Sequence, residues 1–412
     1  MSINNNTDKK LPLKVNFSWN FLGNIVFSFG QWAILAILTK LVIVEEVGNY
    51  SYAVAFTAPF VLFFQMQMRS IQITDTNDEY SFNDYFGARI ISSITSLIFI
   101  IIMSLVFGND IPMTILIASV TLLKLSDSIS DIFYGLFQKH EYMKHIAISM
   151  IIKSIITVLF FFLVLRITKS IIISVLFITI LKSLIIIIYD FYKARNYTKV
   201  NPVFNNYILI KLLKVSFPLG LMSLLISLDS NIPKYVIEHF EGVESLGYFS
   251  VLSYINMAGG QMITSISQAS TPRLAVLYTY NNKKMFIRML IKLTMIGFAI
   301  GVTSILFVLL FGEEFISILY SKEYANHMNV FITIMIAGAI NYTASFLGNG
   351  MTAARAFKIQ PFLGIIWVLT SLAISVVMVP TFGLLGGAIA LVISAIVKLV
   401  SKAVVIFNIV KL

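Results

Sequence analysis

Val44-Glu45-Glu46-Val47-Gly48, followed by Tyr50-Ser51, recurs as Val243-Glu244-Ser245-Leu246-Gly247, followed by Phe249-Ser250. Upstream, Lys14-Val15-x-Phe17 recurs as Lys214-Val215-x-Phe217, and downstream Arg89 recurs as Arg288. The offset stays at 199 or 200 from Lys14 to Arg89. Both copies sit between apolar stretches, as turns closing a membrane hairpin. Chance likeness between Ile/Leu/Phe-rich helices is the competing explanation, and the constant offset argues against it. A two-fold repeat of membrane segments implies a transporter-like architecture, with the substrate path between the halves.

Composition agrees. Hydrophobic residues make up 58% of the 412 and charged residues 12%, against about 25% charged in an ordinary soluble domain. No hydrophilic stretch is long enough for a soluble domain, so any chemistry belongs to the bundle or its short loops. The chain has no cysteine, which excludes disulfides, thiolate metal sites and cysteine nucleophiles. Residues 1–14 are polar, with Lys9, Lys10 and Lys14. The first apolar stretch is too long for a signal peptide and is expected to remain as a span.

About 20 apolar residues cross a bilayer as a helix. Twelve such runs are read at 16–39, 49–68, 89–107, 112–136, 146–165, 170–189, 214–233, 248–268, 289–311, 328–348, 361–380 and 384–408. The fourth is interrupted by Lys124, Asp127 and Asp131. With the N-terminus inside, 21 of the 30 Lys and Arg residues fall in inside loops and five in outside loops. That positive-inside bias puts both termini in the cytoplasm. The net charge of +11 is then a signal of topology and of contact with anionic membrane lipids, and no nucleic-acid partner is expected. The expected fold is an all-α polytopic membrane protein: about twelve transmembrane helices in two six-helix bundles, residues 1–189 and 214–412. A cytoplasmic linker, 190–213, joins them. Six spans per half make the repeat a parallel one, around a central cavity.

Polar residues line single helix faces. The first span carries Asn16, Asn20, Asn24, Ser28 and Gln31; the seventh carries Ser216, Gly220, Ser223, Ser227 and Ser230. The eighth has Ser253, Asn256, Gly260, Thr264 and Ser267, and the tenth Asn341, Ser345, Gly348 and Thr352. Such faces must avoid lipid. They serve either as glue between helices or as the wall of a hydrated cavity. Interior charges raise a parallel choice. Lys124, Asp127 and Asp131 share a face of span four, Lys153 lies in span five, Lys182 in span six, Asp229 in span seven and Lys398 in span twelve. Lys124 can pair with Asp127, and Asp131 can answer Lys153 or Lys182, leaving one lysine of the first half unmatched. Lys182 and Lys398 could alternatively snorkel to the cytoplasmic surface, Lys398 more readily than Lys182. One reading is a structural ion-pair network. The other is a cationic wall of Lys124, Lys153 and Lys182 that attracts an anionic group such as a phosphate.

His140-Glu141-Tyr142-Met143-Lys144-His145 imitates a zinc-protease helix but spaces its histidines five apart, off a common face. No metal or other cofactor is expected.

Three segments carry a family likeness. Val379-Pro380-Thr381-Phe382-Gly383-Leu384-Leu385-Gly386-Gly387-Ala388-Ile389-Ala390 resembles a turn of bacterial polysaccharide flippases. The doubled Glu-x-x-Gly motif after spans one and seven is the second. Ser128-x-x-Asp131-x-x-x-Gly135-Leu136-Phe137-Gln138 closing span four is the third, with Pro272-Arg273 after span eight in support. Together they resemble the Wzx-type O-antigen and capsular polysaccharide flippases of the multidrug/oligosaccharidyl-lipid/polysaccharide exporter superfamily. Leu165-Arg166-Ile167-Thr168-Lys169 departs from the pattern by lacking the Pro-x-x-Gly seen at Pro380 to Gly383. The resemblance implies a non-enzyme of the bacterial inner membrane that moves an undecaprenyl-pyrophosphate-linked oligosaccharide by alternating access. A polysaccharide polymerase and a chain-length regulator would be its protein partners.

On this reading Lys124, Lys153 and Lys182 meet the pyrophosphate, while Asn20, Asn24, Gln31, Asn256 and Asn341 meet the sugars. Coupling to the membrane potential, or to a proton or sodium gradient, would run through Asp127, Asp131 or Asp229. The rivals are a cation-coupled multidrug exporter of the same superfamily and, from another class, a membrane-embedded polysaccharide polymerase or acyltransferase. The exporter would want an unpaired acid; the enzyme would want a large outside loop or a His/Asp pair.

Overall fold

The computed structural model describes residues 13–75, 78–356 and 358–411; Lys9 and Lys10 of the charge count lie outside the described residues. Among the described residues there are helices and connections and no strand. The chain runs through α1 (Leu13–Leu41), α2 (Val44–Gln65), a short α3 (Met68–Thr74), α4 (Phe82–Val106), α5 (Ile111–Lys139), α6 (Met143–Thr168) and α7 (Ile171–Ile185). A π-helical turn (Ile186–Phe191) and α8 (Tyr192–Ala194) prolong α7. There follow α9 (Asn206–Thr279), α10 (Lys283–Leu319), α11 (Lys322–Ala325), α12 (Met328–Ala353) and α13 (Gln360–Lys411).

Local chemistry sets the helix starts. Ser81 and Asp84 form a capping box at α4, satisfying two otherwise orphaned amides. Asp110 caps α5 by accepting from Met113 N at 2.8 Å.

Among the described residues, ten helical stretches are long and apolar enough to cross a membrane. Two of them span 59 and 51 residues, more than twice the length of about 20 that one crossing needs. Each is broken by one glycine in the left-handed region, Gly242 at φ 83° and Gly383 at φ 56°. Only glycine takes such a backbone without strain, so each stretch supplies two crossings and the described residues hold twelve. α4 shows why these helices suit lipid. Ile94, Ile98, Ile102 and Leu105 are exposed, whereas Arg89, Ser92, Ser93, Ser96 and Ser104 are buried. Polar side chains face protein and apolar ones face outward, the reverse of a helix in water.

Contacts divide the chain into two compact units. Unit one comprises residues 1–37 and 53–224, and unit two residues 38–52 and 225–412, so α1, α2 and α9 each contribute to both. The core of unit one gathers Phe82, Tyr85, Phe133, Phe137 and Tyr134; that of unit two gathers Phe286, Tyr342, Phe346 and Trp367. Of the connection 190–213, residues 190–194 and 206–213 are helical. The stretch between is pinned to α4 by Val203 N donating to Asn83 O and Asn201 N donating to Asn83 Oδ1, both at 3.0 Å.

The repeated motif is a helix start rather than a turn. Glu45 and Glu46 lie in the first turn of α2, where carboxylates complement the helix dipole. The second copy begins directly after the break at Gly242. Within unit two the copies pack on each other reciprocally. A Cβ at Gly48 would stand 2.0 Å from the carbonyl oxygen of Val243, and one at Gly247 would stand 2.7 Å from that of Val44. Reciprocal contact of equivalent residues is the signature of a two-fold relation. Both obstacles are backbone and cannot rotate away. Gly48→Ala and Gly247→Ala should therefore each lower stability by about 1–3 kcal/mol, read as a lower melting temperature of the detergent-solubilised protein. Unchanged melting in both variants would contradict this close approach.

Candidate functional site

The interior charges assemble into pairs, and the pairs differ from those the sequence suggests. Lys182 of α7 donates to both carboxylate oxygens of Asp127 on α5 at 3.0 Å, and its ammonium lies 5.9 Å from the Phe27 ring. Lys124, one turn before Asp127, reaches α2 instead and donates to the carbonyl of Val54 at 2.8 Å. The expected Lys124–Asp127 pair is thus replaced. Long helical side chains lean toward the N-terminus of their own helix, which turns Lys124 away from Asp127. An acid C-terminal to a lysine is also the weaker order for such a pair.

Asp131 answers neither Lys153 nor Lys182. Its partner is Arg69 of α3, with Nη1 at 3.0 Å, and Arg69 also donates to Gln138. Arg69 counts as a loop cation in the sequence; the short helix carries it against α5. Lys153 of α6 is buried and pairs with the fully buried Asp190 at 2.5 Å. Ser130 Oγ accepts a further bond from the Lys153 ammonium at 2.6 Å. Asp190 falls in the predicted linker, one residue past the apolar run, but the π-helical turn keeps it inside. Such wide turns shift the angular phase of the residues that follow and recur at functional sites.

In unit two, Asp229 of α9 pairs with Lys398 of α13. Its Oδ1 accepts from Ser394 Oγ at 2.9 Å, and its backbone carbonyl accepts from Ser371 Oγ at 3.1 Å. Lys398 therefore turns to an interior acid instead of snorkelling to the surface.

All three lysines of the predicted cationic wall have protein partners. A further interior cation of unit one is Arg89, at the start of the third predicted span. It lies in α4 with 1% exposure, and its Nε and Nη2 have no hydrogen-bond partner among the described residues. The three proposed coupling acids, Asp127, Asp131 and Asp229, each hold a cation.

The amides divide. Asn24 Nδ2 donates to the backbone oxygen of Asn20 at 2.8 Å and to its Oδ1 at 3.2 Å. Both are half-buried, as are Gln31 and Asn341. Asn256 is engaged through its carbonyl and side-chain oxygens, both accepting from the Tyr342 hydroxyl at 2.6 Å. The first part of the seventh-span stripe is glue. Ser216 and Gly220 pack against Met66, and Gln67 Nε2 donates to Ser223 Oγ at 3.0 Å. Among the described residues no group of three or more His, Cys, Asp or Glu is placed to hold a metal.

A buried ion pair is fragile when halved, because the surviving charge has no solvent. Lys153→Met should lower stability by about 3–5 kcal/mol, whereas Lys153→Met combined with Asp190→Leu should recover most of that loss. Unfolding of the purified protein in detergent measures both, and equal losses in the single and double variants would contradict the pairing.

Against known proteins, residues 13–277 match the family described as polysaccharide biosynthesis protein. The capsular polysaccharide biosynthesis protein CapF of Staphylococcus aureus is 33% identical over 388 residues, 94% of this chain and 97% of that protein. Among solved structures, the lipid II flippase MurJ in an inward closed conformation superposes with a TM-score of 0.74 at 16% identity, covering 95% of this chain and 87% of that one. An inward-facing multidrug resistance MATE family transporter of the MOP superfamily gives 0.68 at 15% identity, covering 98% and 97%. The structural likenesses establish the fold, and the sequence matches establish the lineage: the chain belongs to the polysaccharide biosynthesis protein family and has the fold of the MOP superfamily transporters.

Proposed function

We propose that the chain is a flippase that carries an undecaprenyl-pyrophosphate-linked oligosaccharide from the inner to the outer leaflet of the bacterial cytoplasmic membrane by alternating access. Both termini face the cytoplasm, and residues 1–189 and 214–412 act as the two moving halves. The observation that carries this reading is the combination of capsule-family sequence with a flippase fold. The half-buried amides Asn20, Asn24, Gln31 and Asn341 supply hydrogen bonds to sugar hydroxyls, and Lys124 supplies a point charge to the pyrophosphate. Lys153 and Lys182 hold the scaffold through Asp190 and Asp127 and meet the cargo only if those pairs part.

The paired acids also weigh against the drug-exporter alternative. A cationic drug or a coupling ion needs a carboxylate that is not already neutralised, and Asp127, Asp131 and Asp229 each hold a lysine or arginine. Coupling to a proton or sodium gradient then requires the ion to compete with a fixed ammonium or guanidinium.

The test follows the sidedness of the lipid-linked oligosaccharide in cells depleted of the chain, in a strain without a redundant flippase. Depletion should trap the oligosaccharide on the cytoplasmic leaflet and restoration should release it. Equal arrival at the outer leaflet with and without the chain would end the proposal.

A further inference from the structure

Unit two holds a cation that neither the transport reading nor the ion-pair network uses. Lys402 lies in α13, one turn after Lys398 and on the same helix face. Its ammonium sits 5.0 Å from the centroid of the Trp367 ring. It lies against Gly348 of α12, where a Cβ would be 3.4 Å from Nζ. Among the described residues it meets no carboxylate and no carbonyl. Asp229, an acid that acts on it electrostatically, is already bound to Lys398. Lys402 thus differs from Lys124, Lys153, Lys182 and Lys398, each of which has an oxygen partner.

The surroundings supply an aromatic face in place of an acceptor. The Trp367 indole N–H is committed to Ser401 Oγ at 3.0 Å, which fixes the ring under the ammonium. Asn349, next to Gly348, has its amide Nδ2 buried without a partner. Lys402 itself is half-buried, whereas Arg89 is enclosed. An ammonium in an apolar span with three donors and no acceptor selects an anion. A compact point charge suits a phosphate oxygen.

We propose that Lys402, seated on Trp367 beside Gly348, is a phosphate-binding position of unit two. It takes a phosphate or pyrophosphate ester that enters with its lipid from the membrane. The source is either the pyrophosphate of the transported lipid or the headgroup of an anionic membrane lipid. Only the first source rests on the transport reading.

Trp367 makes the site its own reporter. The chain has three tryptophans, so Trp19→Phe with Trp32→Phe leaves Trp367 alone beside the ammonium. This protein, in neutral detergent, is titrated with geranyl pyrophosphate, with inorganic pyrophosphate and with micelle-borne phosphatidylglycerol while Trp367 emission is read. A saturable change is expected with at least one lipid-borne probe. Lys402→Gln should weaken that binding about tenfold or more, as loss of a charge-assisted hydrogen bond does. Lys402→Arg, which keeps the charge and controls for folding, should bind more tightly than Lys402→Gln, since a cation still faces the phosphate.

A response to geranyl pyrophosphate assigns the site to the cargo, and a response to phosphatidylglycerol alone assigns it to the bilayer; both support a phosphate position. No response in the parent, or equal affinity in the parent and Lys402→Gln, overturns it. Failure of the transport reading would appear separately, as unchanged oligosaccharide sidedness in depleted cells, and would leave the titration standing.

Discussion

A charge inside a membrane-embedded bundle is costly unless an opposite charge or a polar group answers it, and that cost organises most of the interior charges of this protein. An isolated ion moved into a low-dielectric interior costs several kcal/mol even after relaxation, and lipid offers no compensating water. The chain offsets that cost by linking helices through pairs. Lys182 joins α7 to α5, Lys153 joins α6 to the π-helical turn, Arg69 joins α3 to α5, and Lys398 joins α13 to α9. Because one of the pairs depends on a local departure from α-helical phase, the wide turn at Ile186–Phe191 belongs to the same design.

A second constraint comes from the repeat. Gly48 and Gly247 stand at equivalent positions and each faces the backbone of the other copy. No side chain fits at either position without moving main chain. The similarity between the two stretches thus has a packing reason that is local and reciprocal. It does not require either copy to touch substrate.

Much of this was legible in the sequence. The helical class and the crossings follow from apolar run length, and the likeness to polysaccharide flippases rests on the segments Val379–Ala390 and Ser128–Gln138 together with the doubled motif. Lys153, Lys182 and Asp229, which the sequence places inside spans, are buried. Their partners were not legible, because pairing depends on the rotation of one helix against another, which periodicity along a single helix does not encode. Asp190 escaped because it stood one residue beyond an apolar run whose end the π-helical turn extends. Arg69, Arg89 and Lys402 escaped for a related reason: a cation near the end of an apolar run counts as a loop residue until helix ends are known. A usable signal existed for Lys402, since Trp367, Ser401 and Lys402 all lie in the last predicted pair of spans, and a tryptophan there suggests an aromatic platform.

The central claim is that interior charges act as matched pairs, so that what matters at each position is complementarity rather than the sign of one residue. Exchanging the members of one pair tests it most directly. Lys182→Asp and Asp127→Lys, singly and together, are compared for the fraction of lipid-linked oligosaccharide reaching the outer leaflet. The account predicts that each single exchange abolishes delivery by placing two like charges side by side, and that the double exchange restores much of it. Full delivery with either single exchange, or a double exchange as inactive as the worse single in a protein that still folds, would contradict it.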